Sequence, residues 1–200
     1  MSEKEKDRSI TENKLLKALE SIIIEEGFEK VGVNQVASRA GVSKVLIYRY
    51  FESLDNMILE YLMKQDFWIN VSLDIPDSSD LKNYIKKIFH NQILILRTDK
   101  VSQRLKRWEL TTSNNSIDKL RLKRESKNVT LITLISHLGQ HPQEEVAALA
   151  SIIGAAINYL VLLSENCPIY NGIDLQTDKG WEQIKTGVDL LIDRWIDNLA

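Results

Sequence analysis

Between Lys30 and Phe51 the chain carries four cations, Lys30, Arg39, Lys44 and Arg49, and no acid. The whole sequence of 200 residues is acidic on balance, with 26 Lys and Arg against 28 Asp and Glu, so this window is a local cationic patch. The residue types suit the surface of DNA. An arginine such as Arg49 makes a bidentate contact to guanine O6 and N7, and an apolar side chain such as Val45 or Leu46 packs on a thymine methyl. Lys44, Tyr48 and Tyr50 suit phosphates, which position a protein on the duplex without reading sequence, and Ser43 stands where the second helix begins.

Those groups need a scaffold, and the spacing supplies one. Gly32 serves as an N-cap, after which Val33, Val36, Ala37 and Ala40 fall on one helical face. Gly41 follows the last helical residue, where a left-handed backbone costs glycine little. Val42 plugs the angle between two helices, and Ser43 caps the next. In that second helix Ile47 and Phe51 are expected in the core. Lys44, Val45, Tyr48 and Arg49 share the opposite face, with Leu46 beside them. This is a helix-turn-helix whose second helix is shaped for the major groove.

The blocks Leu15-Leu16-Lys17-Ala18, Glu26-Gly27-Phe28, Val36-Ala37, Ala40-Gly41-Val42-Ser43-Lys44 and Ile47-Tyr48-Arg49-Tyr50-Phe51 together resemble the TetR family of transcription regulators, from about Lys14 to Leu62. The resemblance implies that the helix after the turn reads DNA and that the rest of the chain is a helical domain for ligand binding and dimerisation. Three positions depart from the family pattern. Val45 and Leu46 stand where small residues are usual, Tyr50 where histidine is frequent, and Leu54 where a lysine is common. Base readout is therefore expected to be more apolar than in typical members.

The rest of the chain fits an all-α fold of about nine helices: an N-terminal three-helix helix-turn-helix domain (1–52), then a helical effector-binding and dimerisation domain (53–200). Three prolines and eight glycines favour long helices. A charged start, Met1 to Ser9, is expected to be mobile or to act as a minor-groove arm. The first helix spans Ile10 to Glu26, with Leu15, Leu16, Leu19, Ile22 and Ile23 buried. A fourth helix, Ser53 to Ser72, is expected to act as the lever between the two functions. A break at Pro76 to Ser79 precedes a fifth helix capped by Ser79. Helices near Lys100–Thr111, Ile117–Leu138 and Pro142–Leu163 follow, then a loop over Ser164–Thr177 and a ninth helix over Asp178–Leu199.

The last two helices carry the expected dimer interface. Val146, Ile153, Ala156, Ile157 and Leu160 line one face of the eighth, while Ala148, Ile152, Ala155, Tyr159, Leu162 and Leu163 line another. In the ninth, Trp181, Ile184, Val188, Leu191 and Trp195 repeat at coiled-coil spacing. A symmetric dimer built this way matches a palindromic operator in double-stranded DNA. An unidentified small-molecule effector is expected near Phe89, Trp108, Glu109 and Tyr159. The basic stretch Lys119 to Lys127 reads as a solvated helix face.

Enzymatic chemistry is not indicated. His90, His137 and His141 are isolated, there is no HExxH, paired-cysteine or Gly-rich phosphate motif, and Cys167 has no basic neighbour. No metal or cofactor is expected. The lone cysteine, the absence of a signal-peptide pattern and of a membrane-length apolar run suggest a cytoplasmic protein without a membrane partner. The main reading is therefore a ligand-released homodimeric repressor. The alternatives are a helical small-molecule-binding protein that has lost operator binding, and an activator or effector-independent DNA binder.

Overall fold

The computed structural model describes residues 3–74 and 79–197. Among them are ten α-helices, a 3-10 turn and one two-stranded hairpin, so the all-α expectation holds. They form two compact units: residues 1–66 with 100–123, and residues 67–99 with 124–200.

The first unit begins with α1 (Glu3–Glu26). This helix is longer than expected, because the charged start is itself helical. Arg8 Nε sits 2.7 Å from Glu12 Oε1, one helical turn on, a spacing that supports helix. Its buried stripe, Leu15, Ala18, Leu19, Ile22 and Ile23, closes on Phe28 of a 3-10 turn (Phe28–Lys30). Next come α2 (Val33–Ala40), α3 (Val45–Phe51) and α4 (Leu54–Gln65). Ser53 caps α4, its hydroxyl accepting from the Asn56 amide at 3.0 Å.

The fourth helix stops at Gln65 rather than Ser72. Asp66 adopts an extended backbone, φ −67 and ψ 121, with its amide still bonded to Leu62. Aspartate competes poorly for helix interiors, and a separate four-residue turn of helix, α5 (Phe67–Asn70), opens the second unit. The first unit is completed by α7 (Lys100–Thr111) and the start of α8 (Asn115–Gly139). There Trp108 stacks flat on Phe28, with ring centroids 4.4 Å apart and planes 6° apart.

The second unit takes α6 (Leu81–Thr98), the remainder of α8, α9 (Gln143–Ser164) and α10 (Asp178–Asp197). Asp80, not Ser79, occupies the cap position of α6. Of the expected break at Pro76–Ser79, residues up to Ser78 lie outside the described residues, as does the end of the expected ninth helix beyond Asp197. The core joins Ile85, Ile88, Phe89 and Ile93 of α6 to Ile153, Ile157 and Val161 of α9 and Trp181, Val188 and Ile192 of α10.

The loop expected over Ser164–Thr177 contains a hairpin, β1 (Ile169–Tyr170) against β2 (Ile173–Asp174). Asn171 and Gly172 turn it with φ of 50° and 80°, the pair a tight hairpin turn requires. Helix α10 starts hard against it: a Cβ on Gly180 would lie 1.8 Å from the Asp174 carbonyl oxygen. The Trp181 indole N–H donates to the Leu175 carbonyl at 2.8 Å.

Helix α9 revises one expectation. Within its 22 residues an 18-residue window reaches a mean hydropathy of 2.2, long and apolar enough by composition to cross a membrane. The reason lies in its two apolar sides. Val146, Ile153, Ile157 and Val161 are buried, whereas Ile152 and Tyr159 are 65% and 55% exposed.

Candidate nucleic-acid interface

The turn between α2 and α3 is fixed by one left-handed residue. Gly41 has φ 65 and ψ 34, and its amide bonds back to the end of α2, a backbone glycine adopts at little cost. Val42 returns its own amide to the Ala37 carbonyl at 3.0 Å. The Ser43 carbonyl then accepts from the Leu46 amide at 3.0 Å, and its hydroxyl lies 3.4 Å from the Val45 amide, but the cap position of α3 falls on Lys44, not on Ser43, and carries no side-chain cap bond.

Two residues anchor α3 from below. Ile47 is fully buried and Phe51 nearly so, each contributing roughly 1.5–3 kcal/mol of burial. That anchoring turns the opposite face outward. Ser43, Lys44, Val45, Tyr48 and Arg49 are all exposed, while Leu46 and Tyr50 are half-buried. Val45 is 63% exposed, which leaves its isopropyl group open to an apolar contact such as a thymine methyl.

The cations divide into two kinds. Arg39 is held by two acids of α1, at 2.5 Å from Glu25 and 3.2 Å from Glu26, and it bonds Ser21 as well. Its charge is offset within the fold, so the patch is narrower than its four cations suggest. Arg49 makes no hydrogen bond or ion pair among the described residues, and Lys44 makes only a 3.5 Å contact to Asn34. One residue went unnoticed in the sequence: the Arg8 guanidinium lies 5.2 Å over the Tyr50 ring. The hydrogen bond that Arg8 donates to the Glu12 carboxylate raises the pKa of Arg8. Tyr50 is thus held by α1 as well as by α3, a contact between segments 42 residues apart that no local spacing marks.

Residues 15–61 match the family described as bacterial regulatory proteins, tetR family. Residues 15–61 are therefore a tetR-family domain. The matched span covers α2, the turn and α3 entirely. Solved structures similar to the chain extend over nearly its whole length. A TetR family transcription regulator from Marinobacter aquaeolei VT8 is 18% identical, covering 96% of this chain and 97% of that one, with a TM-score of 0.63. NalD, the secondary repressor of the MexAB-OprM multidrug efflux pump in Pseudomonas aeruginosa, is also 18% identical, over 90% of this chain and 96% of its own, with a TM-score of 0.62. A TetR transcription regulator from Haloarcula marismortui is 13% identical, over 92% and 97%, with a TM-score of 0.66. At these identities the likeness speaks to the fold. No curated protein sequence matches the chain.

The remaining candidate residues of this chain fall in several environments. Of those expected at a dimer interface, Val146, Ile153, Ile157, Trp181 and Val188 are buried in the chain's own second core, and Leu160, Ile184 and Trp195 are half-buried against it. Ala156 and Leu191 are exposed. Of those expected at a ligand site, Phe89 is buried in the second unit with Trp68 edge-on at 6.2 Å. Tyr159 is on the surface beside Tyr170. Trp108 and Glu109 belong to the first unit, Trp108 stacked on Phe28 and Glu109 paired with Lys106 at 3.2 Å. Among the described residues no group of three or more His, Cys, Asp or Glu forms a metal-binding cluster.

Proposed function

We propose that the chain is a homodimeric, ligand-released repressor that binds a palindromic operator through α3 and works in the cytoplasm. The observation that carries the reading is the split of α3: Ile47 and Phe51 are buried, while Lys44, Val45, Tyr48 and Arg49 project outward and Arg49 has no partner among the described residues. In this reading Arg49 reads guanine, Val45 and Leu46 meet thymine methyls, and Ser43, Lys44, Tyr48 and Tyr50 hold phosphates. The single charge of Arg39, engaged by Glu25 and Glu26, contributes nothing to DNA in this reading.

A second copy supplies the two-fold symmetry. Support comes from the outer side of α9, where Ile152, Ala155 and Tyr159 are exposed, and from Leu190 and Leu191 of α10, 52% and 51% exposed. Exposed apolar side chains of this kind on two long helices want a cover, and an identical copy provides one. Repression is supported by NalD, itself a repressor. The effector acts by binding the DNA-competent and incompetent states unequally, a coupling of typically about 1–3 kcal/mol, or roughly 5- to 150-fold in operator affinity. Because α4 ends at Gln65, the helix with residues in both units is α8, and it replaces α4 as the proposed carrier of that shift.

Selection of random duplexes by the purified protein tests the reading. Enrichment of a palindrome bound by a dimer is expected. Recovery of no motif would leave a helical small-molecule-binding protein as the better account.

A further inference from the structure

The core of the second unit contains an unmet polar demand. Gln92, on α6, is 1% exposed and surrounded along its own helix by Ile88, Phe89, Ile93 and Leu96, all buried. Its Oε1 has no hydrogen-bond partner. Its Nε2 reaches only Asn158 Oδ1 on α9, at 3.5 Å, the outer limit of such a bond. On α8, Asn128 Oδ1 is likewise buried without a partner. A buried amide left this way costs about 1–3 kcal/mol, and leucine would fill the position without that cost. His141 is the other buried polar residue of the second unit among those described; its Nδ1 and the Trp195 Nε1 also have no hydrogen-bond partner there, but the two rings stack on each other at 4.1 Å and face each other rather than an apolar space.

We propose that Gln92 is the polar anchor of a ligand site within the second unit, and that the ligand is an uncharged, mainly apolar molecule carrying a hydrogen-bond donor. This rests on the ligand-release reading and gives its effector a chemical class. The Gln92 amide oxygen supplies the acceptor, and the flanking Ile, Leu and Phe side chains supply apolar surface. Among the described residues no charged side chain of the second unit is buried, so a ligand ion would lie there uncompensated. The neutral class follows from that.

The probe is N-phenyl-1-naphthylamine, neutral, fluorescent in apolar surroundings and bearing one N–H. Its counterpart is 8-anilinonaphthalene-1-sulfonate, with the same rings and an added anion. Each is titrated into the full-length protein, and operator binding is followed in parallel. The neutral probe is expected to bind saturably at one per chain and at least about tenfold more tightly than the sulfonate. Gln92→Met, close in volume and without an acceptor amide, is expected to weaken the neutral probe by about two- to tenfold, the worth of one hydrogen bond. It should leave probe-free operator binding unchanged and the thermal midpoint equal or higher.

Absence of saturable binding, equal binding of the sulfonate, or an unchanged affinity in the folded variant overturns the proposal. The neutral-against-anionic comparison is made on the unaltered protein, so it decides even if Gln92→Met fails to fold. A probe that binds through Gln92 without releasing DNA leaves the site standing and removes ligand release. Release by a probe indifferent to Gln92 does the reverse.

Discussion

Two outward faces of this chain invite opposite partners. The free side of α3 offers Lys44, Tyr48 and Arg49 around a single exposed Val45, whereas the free side of α9 offers Ile152, Ala155 and Tyr159, with its exposed acids, Glu144 and Glu145, confined to the first turn. Each helix buries its other side, through Ile47 and Phe51 in one case and Ile153 and Ile157 in the other. Burial therefore decides how each helix is mounted, and the chemistry left outside decides what it meets. A short cationic face suits a phosphate-lined groove; a long apolar one suits a copy of itself.

The comparison breaks most readily on the α9 side. Ile152→Glu places a charge on that face at a site 65% exposed, so the monomer should remain folded. Sedimentation is expected to show a monomer, and operator affinity should fall by about 10²- to 10⁴-fold as two linked contacts become one. A dimer that survives this change would assign the face to something else. On the α3 side, Arg49→Ala is expected to cost about 1–3 kcal/mol and to relax specificity at one base pair in each half-site, measured by anisotropy against a set of mismatched duplexes.

Lys44→Ala should act more evenly. It is expected to weaken all duplexes alike and to reduce the slope of log affinity against log salt by about 1 per DNA-bound subunit, since a phosphate contact carries charge without sequence. The smallest effect belongs to Arg39→Ala. That arginine is engaged with Glu25 and Glu26 at a partly exposed site, where such pairs contribute about 0–1 kcal/mol. Thermal stability is expected to drop slightly, with the salt slope unchanged. A change in slope equal to that of Lys44→Ala would show that Arg39 leaves its acids for DNA.

The same contrast explains what the sequence made legible. The helix-turn-helix is a local structure: Gly41 at its left-handed φ and Val36, Ala37, Ile47 and Phe51 in the core all follow from spacing within twenty residues. Helix α9 is different because it is apolar on both sides, and periodicity ranks neither side as the inner one. The interface expected at Val146, Ile153 and Ile157 rested on that undecided choice, and these residues are buried in the protomer. Trp108 depended on a partner eighty residues away, Phe28, which no local pattern announces. Arg39 looked free until two acids from the preceding helix reached it, and Gln92 looked like an ordinary polar helix residue until burial isolated it.

The most direct test of the central claim is the affinity of the dimer for the palindrome it selects, measured for the unaltered protein and for Arg49→Ala at two salt concentrations. The predicted result is a roughly 5- to 150-fold loss on the selected duplex, with little change on random duplex. Equal affinity of the two proteins for both duplexes would contradict it, and would make the outer face of α3 a bystander.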